Sequence, residues 1–345
     1  MANDYFPSHE YALLKQLEPY LNYKKSRRYP LGMGDDAAIR TTSIGERLVF
    51  TADALVENVH FSLRYMTFQE VGYKAMAVSV SDCAAMGATP DGALVQIVFP
   101  QESRRHALYK SMIQLYKGFH AACMTWDFPI IGGNLSKGPC WVIDITLIGA
   151  ARRGAGILKR KGAKKGDGVW VTGSPGSSAG GLAAIMKWGH RKKIPKKYGP
   201  LVDRHIRPAP RVEMALALAR DPQVHAMIDV SDGIAKECHT LAFENNLGII
   251  LEPEGLECSP EMRELGRAMG KDCRDWFLYG GEDYELLFAA SPRFDPVSLR
   301  GIQFRRIGTF TDRVKGVHFK DHNGTIVTVV TVAKSGWDHV RKALR

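Results

Sequence analysis

The sequence predicts two domains of mixed α and β structure, and three observations carry that prediction. The chain has 345 residues, a length that favours two hydrophobic cores over one. Strand-like and helix-like runs follow one another along it, several of them joined by glycine-rich turns. A stretch of small residues from Gly149 to Gly156 then separates two such series, just ahead of the basic segment 159–167. That places the boundary near 150, with residues 1–150 as the N-terminal domain and 151–345 as the C-terminal domain. The balance of 45% hydrophobic to 24% charged residues is that of a soluble globular protein. No uninterrupted apolar run is long enough to cross a bilayer. The first residues, Met1 to Phe6, lack a basic-then-apolar signal pattern, so a cytoplasmic protein with no membrane partner is expected.

Taken in order, Ser8 to Leu21 carries apolar residues at helical spacing (Tyr11, Leu13, Leu14, Leu17, Tyr20, Leu21) and predicts an amphipathic helix. A basic connector, Lys24 to Arg28, leads into Gly32-Met33-Gly34-Asp35-Asp36. Adjacent carboxylates repel, and a cation or proton settles them; Gly-Asp-Asp is equally ordinary turn chemistry. Leu48 to Val56 reads as a strand with Asp53 set into it, where Asp is disfavoured. Asp53 is therefore either a strand-end or bulge residue or a ligand. Thr67-Phe68-Gln69-Glu70 is a capping box opening a helix that stops at Gly87, with Pro90 beyond. Asp82 falls near the C-terminal end of that apolar helix, opposed by the helix dipole and by burial. A metal or cationic partner relieves both. Phe128 to Ile131 is expected to be a strand entering a loop, Gly132 to Gly138, suited to phosphate contact or to a plain hairpin. Trp141 to Ile148 alternates as a strand.

In the second half, Val169 to Gly181 predicts a strand, a Gly/Ser-rich turn and a helix, resembling a phosphate loop without its lysine motif. The basic run Arg191 to Lys197 reads as a solvated linker or loop. Met227 to Gly233 is a strand carrying Asp229, with Ser231 and Asp232 at the N-terminus of the next helix, where backbone N–H groups attract phosphate. Val80-Ser81-Asp82 and Val230-Ser231-Asp232 share a short pattern. Gly280-Gly281-Glu282-Asp283 is a tight turn into a strand. Past a last strand over 325–332, Trp337 is either a platform for a ring or an edge packing residue.

Six aspartates stand out in structured, apolar surroundings: Asp35, Asp36, Asp53, Asp82, Asp229 and Asp232. Hard divalent cations take oxygen ligands, and Mg²⁺ bridges a few carboxylates to substrate phosphates. With the glycine-rich turns as neutral phosphate donors, the pattern points to a nucleotide-phosphate enzyme using several metal ions. No Ser-His-Asp or Cys-His nucleophile pattern is evident. A phosphate acceptor explains that: its second pKa is about 6, so it is already an anionic nucleophile at neutral pH. The six cysteines have neither C-x-x-C nor zinc spacing and are expected to be free thiols. The net charge of +11 fits phosphorylated ligands; no nucleic-acid-binding signature accompanies it.

The segments GMGDDAAI, TADALVENVHF, YKAMAVSVSDCAAMGATP, IIGGNLSKGP, IDVSDGIAKECHTL and GGEDYELLF resemble the thiamine-monophosphate kinase family, in its order and along nearly the whole chain. The resemblance implies a two-domain, aminoimidazole ribonucleotide synthetase-like fold. In that fold the N-terminal sheet pairs across a homodimer into a barrel, beside an α/β C-terminal domain. It implies transfer of the ATP γ-phosphate onto thiamine monophosphate, in line and with several Mg²⁺ ions, giving thiamine diphosphate. It assigns Mg²⁺ to Asp36, Asp53, Asp82, Asp229 and Asp232, with Thr51, Ala52 and Asn134 adding oxygens, and gives catalysis to Asp36, Asp53, Asp82 and Asp232. Gly133, Asn134, Arg160 and Ser231 are implied to contact ATP, and His60, Glu282 and Trp337 the thiamine phosphate.

Three positions depart from the family pattern. Asn134 stands where an Asp is common, Ala52 where a hydroxyl is common, and Lys137 replaces an Arg, keeping charge but losing bidentate geometry. The alternatives are another ATP-using enzyme of the wider superfamily, or a nucleotide-binding homologue without catalysis.

Overall fold

The computed structural model describes residues 29–31, 35–42, 45–101, 105–151, 156–296, 304–320 and 325–329. The helix expected over 8–21, the connector 24–28, Gly32 to Gly34 and Trp337 lie outside them.

Strict alternation of buried and half-exposed residues along Val142–Ala150 makes this strand, β5, the centre of the first sheet. Around it lie β1 (Ala38–Thr41), β2 (Arg47–Val56), β3 (Thr89–Pro100) and β4 (Ile130–Gly138), in the order β1-β2-β5-β3-β4. Only β3 and β4 run parallel. Helix α1 (Phe68–Ala85) lies on β2 and β5, and α2 (Arg105–Trp126) packs on α1. Thr67 caps α1 as its sequence predicts: its hydroxyl accepts from Glu70 N at 3.3 Å, and Thr67 N donates to the Glu70 carboxylate at 2.8 Å.

The two helices meet backbone to backbone. A Cβ on Gly118 would lie 2.0 Å from the Gln69 carbonyl oxygen, and one on Gly72 2.2 Å from that of Leu115. Gly118→Ala must therefore push the helices apart, and we expect a loss of about 1–3 kcal/mol, the usual penalty of overpacking. Denaturant unfolding of the variant measures it; an unchanged midpoint would mean the crossing yields freely.

The second sheet contains β6 (Gly168–Thr172), β7 (Val224–Asp229), β8 (Gly248–Leu251), β9 (Leu286–Ala290), β10 (Phe304–Thr311), β11 (Gly316–Lys320) and β12 (Ile326–Val329). Their order is β12-β11-β8-β10-β6-β9-β7, with β8 and β11 the parallel pair. Helices α3 (Ser177–Trp188), α4 (Gly199–Ile206), α5 (Val212–Leu218), α6 (Ile234–Glu244), α7 (Pro260–Met269) and α8 (Cys273–Tyr279) accompany it. All six cysteines are free thiols. No helix among the described residues is long and apolar enough to cross a membrane.

Two expectations need correction. Residues 132–138 are not a loop but the body of β4, exposed from Ile131 to Lys137 on the edge of the first sheet. A Cβ on Gly133 would lie 2.0 Å from the Val95 carbonyl oxygen, so glycine there permits close strand approach. The Gly/Ser turn before α3 is not open to phosphate, because Asp283 fills it: Gly176 N and Ser178 N donate to its carboxylate at 2.5 and 2.9 Å. The basic run is solvated as expected, its four lysines all exposed. It forms two short 3₁₀ turns, and Arg191 reaches across to Glu70 at 2.6 Å.

Candidate active site

Helix α1 joins the two halves of the molecule through consecutive polar residues. Ser81 donates to Asp229, the last residue of β7, at 2.6 Å. Asp82, next along the helix, accepts from the Thr51 hydroxyl of β2. Three residues before Asp82, Ser79 donates to Asp53 at 3.0 Å, and Asp53 lies close enough to Asp82 for the two carboxyls to share a proton. Asp36, in the bend before β1, completes the group. Asp36, Asp82 and Asp229 present carboxylate oxygens within 4.8 Å of one another.

Such crowding has an electrostatic consequence. Burial, then the neighbouring carboxylates Asp53, Asp229 and Asp36, pushes the Asp82 pKa well above the ordinary aspartate value. Burial likewise raises Asp229, with Asp36 the next contributor, and burial raises Asp36 and Asp53. Arg160 offsets part of this: its Nε and Nη2 donate to the same Asp36 oxygen at 3.1 and 2.6 Å, and its backbone N–H to Asp35. The other Asp36 oxygen, Oδ2, is buried without a partner. An unfilled acceptor inside an all-oxygen cluster of like charges suits a hard divalent cation such as Mg²⁺.

The remaining candidates divide. Asp232 stands beside the cluster, in the turn before α6, paired with Lys236 at 2.7 Å. Its backbone N–H donates to Glu237, whose carboxyl burial pushes up to about 8. Ser231 adjoins the Gly-Gly-Glu-Asp turn: Glu282 N donates to its carbonyl at 2.6 Å, and a Cβ on Gly281 would lie 2.5 Å from that oxygen. Glu282 and Tyr284 hold positive φ, 63° and 52°. Non-glycine residues adopt this conformation where the surroundings over-determine it, often at functional loops. His60 follows β2; its Nδ1 accepts from Val56 N at 3.0 Å, which leaves the ring proton on Nε2.

Asn134 does not join the cluster within one protomer, and the Ala52 side chain points away from it, leaving only the Ala52 carbonyl to serve there. Ala52 is exposed, its side chain on the sheet face opposite Thr51 and Asp53. Asn134 is exposed on β4, three strand spacings or about 14 Å from β2. Through the pairings with Gln96 and Asp144 it is in register with Ala54, on the open face. Gly133 lies on the same distant strand.

Sequence reasoning missed Ser79, Ser81, Lys74 and His205. The signal for the first three was available, since each is a polar residue inside an otherwise apolar helix. His205 had none, because its importance comes only from what α4 packs against.

Asp283 offers a pH test. Burial pushes its carboxyl up to about 8 despite two backbone N–H donors. A raised carboxyl pKa means the folded state holds the proton more tightly. This contribution is present at acid pH and is lost as pH rises from about 4 through about 8. Asp283→Asn removes the charge but turns one of the two accepting oxygens into a donor facing a backbone N–H, so it should melt below the parent near pH 5 and gain on it as pH rises to 9. Parallel curves would remove Asp283 as a titrating group.

Comparison with known proteins gives the family. Residues 34–151 match the AIR synthase related protein N-terminal domain, and residues 164–344 its C-terminal domain. Thiamine-monophosphate kinase of Bacillus subtilis is 34% identical over 281 residues, covering 80% of this chain and 82% of that one. The chain belongs to the thiamine-monophosphate kinase family. The Aquifex aeolicus enzyme is 31% identical over 313 residues, covering 89% and 92%. In three dimensions, AaThiL complexed with AMPPCP and TMP superposes with a TM-score of 0.81 at 29% identity, covering 96% of each chain. Escherichia coli HypE, at 17% identity and a TM-score of 0.64 over 93% and 97%, shares the fold alone. The two-domain AIR synthase-related architecture expected from the sequence is thus the one observed.

Proposed function

We propose that this chain transfers the γ-phosphate of ATP to thiamine monophosphate, giving ADP and thiamine diphosphate. The observation that supports this most is the convergence of Asp36, Asp82 and Asp229 from three separate elements onto one small volume. Likeness to AaThiL complexed with AMPPCP and TMP supports the pair of ligands.

On this reading Asp36, Asp82 and Asp229, with Asp53, Asp232 and Thr51 beside them, would hold Mg²⁺. When bound, the ions neutralise phosphate charge and fix the two phosphate groups relative to each other. The chain's own residues do the rest. Arg160, braced by Asp36, offers a guanidinium to nucleotide phosphate. Ser79, Ser81 and Thr51 fix carboxylate orientation by donating to three of the acids, so little reorganisation is needed as charge shifts. No general base is required, because the acceptor is already an anionic phosphate; the site supplies alignment for an in-line transfer. His60 and Glu282 face the acceptor, with Trp337 against its ring. Gly133, Asn134 and Ser231 we place on the nucleotide, outside the inner cage. The exposed β4 edge and the half-exposed face of the first sheet suit a second copy of the chain in a homodimer. The reaction belongs in the cytoplasm, where ATP is. Incubation with ATP, Mg²⁺ and thiamine monophosphate should yield thiamine diphosphate and ADP in equal amounts; ADP alone, or no product, defeats the reading.

A further inference from the structure

Lys74 is fully buried in α1, a helix whose other buried residues are almost all apolar or small. A buried ammonium is expensive unless it is paired and hydrogen-bonded. Its partners come from both halves of the molecule. Nζ lies 2.7 Å from Glu282 Oε1, in the turn before β9, and donates to the His60 carbonyl, in the loop after β2, at 3.2 Å. The other Glu282 oxygen lies 3.3 Å from His205 Nδ1, which is also 3.1 Å from the Ser178 hydroxyl.

These contacts fix a side chain that has little else to fix it. Glu282 is about a quarter exposed and sits on strained backbone. Burial disfavours the charged Glu282, yet the Lys74 ammonium, with His205 and His60 beside it, holds its pKa below the ordinary glutamate value. Burial and the same ammonium push His205 down to about 4, so His205 faces Glu282 as a neutral ring. The Lys74–Glu282 pair is thus neutral overall. Glu282 can present lone pairs to a ligand without adding net charge to the site.

We propose that Lys74 is a positioning residue for substrate recognition: one buried ammonium ties the Glu282 carboxylate of the C-terminal half to the His60 loop of the N-terminal half, setting both in the geometry that receives thiamine monophosphate. The proposal rests on the substrate roles given above to His60 and Glu282. It predicts a specific kinetic pattern, because Lys74 touches neither the acidic cluster nor Arg160 among its recorded contacts.

The test compares Lys74→Met, Glu282→Gln and the double variant by steady-state kinetics. Lys74→Met should raise KM for thiamine monophosphate roughly tenfold to a hundredfold, the range for losing a hydrogen bond to a charged group, with KM for ATP nearly unchanged. Should Lys74→Met fail to fold because Glu282 is left unpaired, the double variant removes both charges and takes its place. It should fold, and bind thiamine monophosphate as weakly as Glu282→Gln does in calorimetric titration. If Glu282→Gln loses thiamine monophosphate but Lys74→Met does not, or if Lys74→Met weakens ATP equally, the positioning role is wrong and the substrate reading survives. If Glu282→Gln itself leaves KM unchanged, the substrate assignment falls, and this inference with it.

Discussion

Replacing Asp82 with asparagine is expected to lower kcat roughly a hundredfold to a thousandfold, the loss typical of removing one preorganised electrostatic contact at a transition state. Asp82 is the centre of the cluster: it takes the Thr51 hydroxyl, meets Asp53, and lies with Asp36 and Asp229 within 4.8 Å. Asparagine keeps the shape and one oxygen but removes the charge. In the metal-free protein that removal is favourable, because Asp53, Asp229 and Asp36 all oppose ionisation of Asp82. The variant should therefore melt higher than the parent without metal while turning over far more slowly, the usual relation between stability and a strained functional site. Near-normal turnover, measured as thiamine diphosphate formed at saturating ATP and Mg²⁺, would take Asp82 out of the chemistry.

Divalent cations should have the opposite effect on the parent. A ligand that binds only the folded state stabilises it by about 2.7 kcal/mol at a concentration a hundredfold above its Kd. The crowded carboxylates, and the partnerless Asp36 Oδ2, provide such a site in the folded chain only. We expect the thermal midpoint to climb with Mg²⁺ or Mn²⁺, to return on adding EDTA, and to respond much less in Asp82→Asn. A midpoint indifferent to all three would mean the acids do not form a cation site. Scanning without nucleotide separates this from any effect of ATP.

How much of this was legible in the sequence depended on whether the signal was local. The α1 start was readable because the Thr67–Glu70 capping box is a short-range hydrogen-bond pattern. Asp53 and Asp82 were readable as anomalies, carboxylates in a strand and an apolar helix, and both prove to face the cluster. The glycines misled in two places, because the same residue serves phosphate loops and close backbone packing alike. Gly133 is needed for the approach of β4 to β3, and the turn before α3 is filled by Asp283, more than a hundred residues away. Distance along the chain hid His205, and hid what Lys74 pairs with. Nothing local to either residue announces that both converge on Glu282.

Strand β4 has a consequence for handling the protein. Among the described residues, Ile131 to Lys137 form an uncovered sheet margin, bearing two large apolar side chains, Ile131 and Leu135, and a single charge. Unsatisfied strand margins of this kind recruit whatever extended backbone they meet. An isolated protomer at high concentration is accordingly a seed for precipitation, and a partly unfolded neighbour is its most available recruit. A lysine at position 135 would blunt that tendency, which makes the strand the first place to intervene if the chain expresses poorly.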